Sequence, residues 1–322
     1  MQKRSFISRL APKIESFLEF KHSLGIEYKS SRSHLLNFDL YNLSNCNYDY
    51  LKKEIVENWL TECDKRSLSQ DRSWLPPIRE LGRYLVRIGD EKSYILDERF
   101  KVVHYHADVY LMSEVEINTF FKECNRLASK DDQIGRGLVI PAIFRFMYCC
   151  GVRTCEARLL KCSEVNFKEG YIDLLFTKKY KDRRIFLSDE LKDYLYDYDM
   201  KISKLFPNRE YFFVNTKGHC CASNFTSDMF RKFWCSAGLN YNGKVKPRAY
   251  DFRHHFACAN LMKWAEEGKN INSMLPYLMR YMGHADLNST YYYTHLLPDF
   301  FPQYKDLASS TEDVIPEVEN EI

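Results

Sequence analysis

Apolar residues recur at helical spacing through roughly the first ninety positions of the chain. Ile14, Phe17, Leu18 and Leu24 fall on one stripe that Gly25 ends. Leu35, Leu36, Leu40 and Leu43 mark a second helix within 31–43, and Leu51, Ile55, Trp59 and Leu60 a third within 50–63. Trp74, Ile78, Leu81 and Leu85 mark a fourth, so a small four-helix bundle is expected. Gly89-Asp90-Glu91-Lys92 then breaks the pattern, and 89–110 reads as an extended linker without a strong period. A new helical region opens at Ser113, a good N-cap with Glu114 and Glu116 in the first turn. The apolar helix 141–150 is ended by Gly151, and 155–161 starts the next. There the period changes from helical to alternating. Residues 171–176 and 184–187 read as two strands joined by Lys178-Lys179-Tyr180-Lys181-Asp182. Helices resume at Ser188 and dominate to the end. The pattern predicts a mainly α chain of two domains, a helical bundle followed by an α+β domain of helices with a small antiparallel sheet.

At 322 residues, 45% of them hydrophobic and 28% charged, the chain is long enough for two globular domains, each with its own core. Its net charge is +3, but the last eleven residues hold five acids and no lysine or arginine; without those acids the rest of the chain carries +8. A basic body fits a polyanionic partner. The bundle contributes Lys29, Arg32, Lys65, Arg66, Arg72, Arg79 and Arg83, which read equally as a solvated face or as a nucleic-acid contact. Eleven cysteines form no disulfide framework: Cys149-Cys150 and Cys220-Cys221 are adjacent and the rest scatter. Reduced thiols in a cytoplasmic protein are the plainer reading, with no metal site and no cofactor. The start of the chain is basic without an apolar core, and there is no run of eighteen apolar residues, so neither secretion nor a membrane partner is expected.

Three segments carry chemistry. Gly151-Val152-Arg153-Thr154-Cys155-Glu156 places an arginine at the mouth of a helix capped by Thr154, with Glu156 one turn on to hold the arginine or a neighbouring amide. Tyr250-Asp251-Phe252-Arg253-His254 opens an apolar helical stripe with an Arg-His pair. Gly283-His284 is followed by Tyr291-Tyr292-Tyr293-Thr294-His295. Two guanidinium forks, an imidazole and a phenol suit attack on a phosphodiester, and helix N-termini favour phosphate. Each segment alone is weak. Periodicity does not choose among Tyr291, Tyr292 and Tyr293, because successive residues on a helix lie about 100° apart.

Together and in this order, the three segments resemble the tyrosine recombinase (phage integrase) family, which includes lambda-integrase-like and Xer-like site-specific recombinases. Gly151-Val152-Arg153-x-x-Glu156 is similar to the family's first box, Arg253-His254 with Phe256-Ala257 to its second, and Gly283-His284 with the tyrosine and Thr294-His295 to its third. The resemblance implies a helical core-binding (SAM-like) DNA-binding domain at 1–90, a linker at 91–110, a catalytic domain at 111–305 and an acidic tail at 306–322. It implies that a tyrosine attacks the scissile phosphate to form a 3′-phosphotyrosyl bond and that Arg153, Arg253 and His284 bind the phosphate oxygens. The family's register selects Tyr293. The family's hairpin lysine, acting as general acid, falls on Lys178, with Lys179 and Lys181 in the same loop. Glu156 and His254 have supporting roles. Tyr250 departs from the family, which usually has histidine there; a phenol is a poor base at pH 7, and His254 or His255 stands near enough in sequence to compensate. The expected partner is double-stranded DNA carrying a specific recombination site, bound by a homo-oligomer, a tetramer in the synaptic complex, with accessory recombination proteins, at the nucleoid. Neutralising about eight phosphates would give a salt slope of roughly −7. A catalytically impaired accessory subunit and a type IB topoisomerase-like activity are the alternatives to a recombinase.

Overall fold

The computed structural model describes residues 5–66, 72–102, 108–128, 134–175, 182–241 and 245–294. The chain divides between Ala107 and Asp108 into two compact units.

The first unit holds α1 (Ala11–Ser23), α2 (Lys29–Ser44), α3 (Lys53–Arg66) and α4 (Leu75–Arg87). Their apolar stripes meet in one core: Ile14 and Phe17, Leu35 and Phe38, Trp59 and Leu60, Ile78, Leu81 and Leu85 are buried there. Asp39, buried on α2, accepts the backbone N–H groups of Ile7 and Ser8 (2.7 and 3.2 Å) and so fixes the chain leading into α1.

Two expectations change in this unit. Residues 91–102 contain no helix or strand, yet they are not free chain. Leu96 is buried in the bundle core, and Tyr94, Phe100 and Val102 pack against it. Arg79 holds the segment by donating to the carbonyls of Leu96 and Asp97, both at 3.1 Å. A stretch whose apolar contacts are to the bundle leaves no period of its own to read. The basic residues of the bundle are also more engaged than a solvated face implies. Lys65 pairs with Glu62, Arg72 with Asp64, and Arg83 with Glu80 and Glu98. Exposed pairs of this kind are worth about 0.2–1 kcal/mol each, so a polyanion can displace the acids.

The second unit runs α5 (Glu114–Ala128), α6 (Arg136–Cys150), α7 (Thr154–Leu159), β1 (Val165–Asn166), β2 (Tyr171–Leu174), β3 (Arg183–Phe186), α8 (Asp189–Leu205), α9 (Phe225–Ser236), α10 (Asp251–Glu266), α11 (Ile271–Met282) and α12 (Asn288–Tyr291). Ser113 caps α5 reciprocally. Its hydroxyl accepts the Glu116 N–H (3.3 Å), and Glu116 Oε2 accepts the Ser113 N–H (2.8 Å). Helix α6 is largely apolar and packs against α5, α7, α8 and α10, with Val139, Ile140, Ile143, Phe144, Phe146 and Met147 all buried. It starts at Arg136, more than a turn before the start expected from the sequence at Pro141. Phe120, Phe144, Phe230 and Phe252, from α5, α6, α9 and α10, pack at ring-centroid distances of 5.0 to 6.3 Å.

The sheet has the order β1-β2-β3, antiparallel throughout. Strand β1, two residues long, is too short for an alternating pattern to announce. In the β2–β3 register Ile172 faces Ile185 and Leu174 faces Arg183. Ile172, Leu174 and Ile185 are buried. Side chains alternate between faces, so Arg183 lies on the inner face of the sheet while Arg184 lies outside, paired with Asp173 at 2.7 Å.

Candidate active site

Helix α6 ends on Gly151, whose φ of +58° is left-handed and which lets the chain turn straight into α7. The N-cap of α7 is Arg153 rather than Thr154, which is its first helical residue. Glu156, in the first turn, reaches back to accept the Arg153 N–H (2.8 Å) and its Nη1 (2.6 Å). Arg153 Nη2 donates to the carbonyl of Gly283 at 2.6 Å. A second guanidinium grips the same carboxylate: Arg183 donates Nη1 to Oε1 (3.0 Å) and Nη2 to Oε2 (2.8 Å). Burial works against the charged carboxylate, but the Arg183 and Arg153 guanidiniums outweigh it and hold Glu156 at about 2, ionised.

Arg253 lies in the first turn of α10 and is 1% exposed. Its Nη1 donates to the carbonyl of Gly151 (2.7 Å) and its Nη2 to that of Met282 (2.5 Å). One fork thus joins the C-terminal ends of α6 and α11, where helix carbonyls lack intrahelical partners. These bonds use two of the five guanidinium N–H groups. Nε is buried with no hydrogen-bond partner among the described residues. A buried, unpaired donor on a cation is costly and fits a site built to receive an anionic oxygen. Burial also lowers the Arg253 pKa below its ordinary value.

Gly283 closes α11 in the left-handed region, with φ +66°. A Cβ there would stand 3.1 Å from Arg183 Nη1 and 3.4 Å from Arg153 Nη1. Gly283→Ala is therefore expected to destabilise the second unit by about 1–2 kcal/mol through backbone strain, measured by thermal unfolding. His284 follows, with Nδ1 2.8 Å from Thr290 Oγ1, which fixes the ring over the site.

The tyrosine cluster does not form one continuous helix. Helix α12 ends at Tyr291, and Tyr292 and Tyr293 lie in the turn beyond it. Tyr291 is 38% exposed, whereas Tyr293 is 3% exposed. The Tyr293 ring lies nearly parallel to His284 (centroids 6.0 Å apart, 16° between planes) and near His254 (5.5 Å). Burial raises the Tyr293 pKa while Arg253 pulls it back. Tyr250 is 38% exposed and sets its ring against His254 at 5.0 Å. His254 Nδ1 is buried without a partner among the described residues. His255 turns away and stacks on Tyr148.

The sequence-predicted residues Arg153, Glu156, Arg253, His254, His284 and Tyr293 thus converge, with Tyr250 at the edge. Lys178, Lys179, Lys181 and His295 lie outside the described residues. Sequence reasoning missed Arg183. Its one signal was the strand alternation that puts it on the same face as Ile185.

Both site histidines resist protonation. Burial, then Arg253 and Arg153, push His284 down to about 3; burial, then Arg248 and Arg253, push His254 down to about 4. The unfolded chain takes up two protons near pH 6.5 that the folded site refuses. Stability from these groups is present above pH 6.5 and is lost as pH falls from there toward 4. The unfolding free energy of the second unit should fall by up to roughly 3 kcal/mol per pH unit in that window, and His284→Gln should halve the slope. Urea titrations between pH 7.5 and 4.5 test this.

A sequence model of the phage integrase family matches residues 111–299. A putative integrase/recombinase of Sinorhizobium fredii, y4rE, is 23% identical over 296 residues, covering 90% of this chain and 92% of its own. The tyrosine recombinase XerC of Lactobacillus leichmannii is 30% identical over 159 residues, 48% of this chain and 50% of that protein. Among solved structures, XerH recombinase bound to its difH substrate in a pre-cleavage complex superposes with a TM-score of 0.62 at 17% identity, covering 91% of this chain and 95% of that one. A lambda integrase dimer bound to a COC′ core site gives 0.61 at 13% identity, covering 90% and 77%. At these identities the structural likenesses show a shared two-domain fold.

Proposed function

The chain belongs to the phage integrase family, and from that membership we propose that it is a site-specific DNA recombinase that cuts and rejoins strands through a 3′-phosphotyrosine bond at Tyr293. The observation that carries the reading is the seat of Tyr293. The ring is buried between two neutral imidazoles, and Arg253, whose charge acts on it, keeps an unpaired N–H.

The steps follow from the side chains. Arg153 and Arg253 take the non-bridging phosphate oxygens, and their forks meet the extra charge of the five-coordinate state. His284 adds a hydrogen bond to the same phosphate. Tyr293 Oη attacks phosphorus and gives up its proton, for which the neutral His254 supplies an acceptor where Tyr250 replaces the family's usual histidine. The 5′-oxygen leaves with a proton from Lys178, and the phosphotyrosyl bond conserves the energy of the broken diester. A 5′-hydroxyl from a second strand reverses the step and rejoins the DNA.

XerH and lambda integrase in the structures above hold DNA; double-stranded DNA with a recombination site is the partner proposed here. The helical unit serves as the core-binding domain, four protomers join two duplexes, and accessory proteins direct the outcome at the nucleoid. No described helix is long and apolar enough to cross a membrane.

Covalent trapping tests the reading. Nicked duplexes drawn from the junctions flanking the gene are incubated with the protein, denatured in detergent and resolved by size. A slow-migrating protein–DNA adduct supports it. DNA that is bound without forming an adduct would leave an accessory DNA-binding subunit instead.

A further inference from the structure

We infer that Arg183 is a positioning residue of the cleavage reaction, holding Arg153 in its phosphate-binding pose through Glu156; this rests on the recombinase reading above. The β2–β3 register puts Arg183 opposite Leu174 on the inner face of the sheet, and its side chain is 7% exposed. Its two Nη groups take both oxygens of Glu156 at 3.0 and 2.8 Å. Its Nε donates to the Tyr281 carbonyl at 2.6 Å. Glu156 Oε1 in turn accepts Arg153 Nη1 (2.6 Å), and Arg153 Nη2 donates to the Gly283 carbonyl (2.6 Å). The chain of contacts runs from β3 through α7 to the end of α11 and closes on itself, because Tyr281 and Gly283 are two residues apart.

Two physical consequences follow. A carboxylate held on both oxygens cannot rotate, so the guanidinium it carries is placed as well as paired. Charge matters as much. Arg153 and Glu156 alone make a neutral pair with little pull on a phosphate. Arg183 is the second cation on that single anion, and the cluster then keeps a net positive charge. The enzyme can thus use a carboxylate to orient its arginine without cancelling the arginine's field.

The test measures single-turnover adduct formation at saturating nicked DNA, together with the Kd for that DNA. Arg183→Met should slow adduct formation about a hundredfold, with a much smaller loss of affinity for that DNA. Arg183→Lys, which keeps the charge but not the fork, should recover part of the rate, and its thermal unfolding controls for loss of fold. In a Glu156→Gln background, Arg183→Met should cost no more than twofold further. In the DNA-free protein, the 15N-labelled Arg153 side-chain resonances should exchange with solvent much faster in Arg183→Met than in the parent. An equal loss of rate in both backgrounds would make Arg183 a direct phosphate ligand and overturn the proposal. Unchanged Arg153 resonances would overturn it too. The resonances need no cleavage, so a parent protein that forms no adduct sinks the recombinase reading while this measurement still decides the role of Arg183.

Discussion

Tyr293→Phe is expected to abolish the covalent adduct with DNA, a loss of at least about 10⁴-fold in cleavage rate, with DNA affinity unchanged within twofold. The magnitude follows from the chemistry: without the phenolic oxygen there is no nucleophile to form the phosphotyrosyl bond. The fold should tolerate the change, because the Tyr293 ring packs in an apolar cluster with Ala257, Leu261, Leu275, Leu278 and Met282 and phenylalanine keeps that packing. Tyr292→Phe and Tyr291→Phe are the controls and should cleave within about threefold of the parent, since Tyr291 is half-exposed and Tyr292 is less buried than Tyr293, its ring packed at the edge of the same cluster. Adduct formation is read on nicked duplex in denaturing gels. An adduct that survives in Tyr293→Phe and disappears in Tyr292→Phe would move the nucleophile by one residue.

The second large effect is expected from Arg253→Lys, the substitution that keeps the charge and removes the fork. Cleavage should fall about 10²–10³-fold, and stability by about 1–3 kcal/mol. A guanidinium bridges the carbonyls of Gly151 and Met282 and still has N–H groups left for phosphate. A single ammonium on a flexible stem cannot make the same planar set of bonds. It leaves at least one buried carbonyl unpaired, loosening the junction between α6 and α11 as well as the phosphate seat. Single-turnover cleavage and thermal unfolding measured together separate the two losses. Cleavage within tenfold of the parent would show that the charge alone suffices and that the fork is not needed.

Much of this site is legible in one dimension because its signals are local. Glycine readily ends a helix in the left-handed region, so Gly151 marks the turn that presents Arg153, whereas the same role of Gly283 before His284 is seen only in the structure. Glu156 stands one turn after Arg153, so a contact with the arginine or a neighbouring amide is readable from spacing even with the cap assigned to Thr154. Other features had no local signal. Residues 91–102 have no period, and their place on the bundle depends on Leu96 finding a core made by distant helices. The cap of α7 fell on Arg153 rather than Thr154 because the turn after Gly151 arrives one residue earlier than residue preference suggests.

The sequence by itself determined the helical stripes, the two longer strands and the chemistry the side chains of the three motifs can do, because each of these depends on residues within a few positions of one another. Only the tertiary structure decided which groups share the site. For Tyr293, which the family's register already selects, burial is the added support: helical spacing treats the three tyrosines alike, and packing against α10 and α11 does not. The role of Arg183 rests on strand register. Alternation puts Arg183 on the face of Ile185, but only the pairing of Leu174 with Arg183 and the approach of α7 bring it to Glu156. Glu156, Arg183 and Gly283 are far apart along the chain, and the hydrogen bonds of Arg183 to Glu156 and of Arg153 to the Gly283 carbonyl exist only once the sheet and the helix ends have closed around a shared carboxylate.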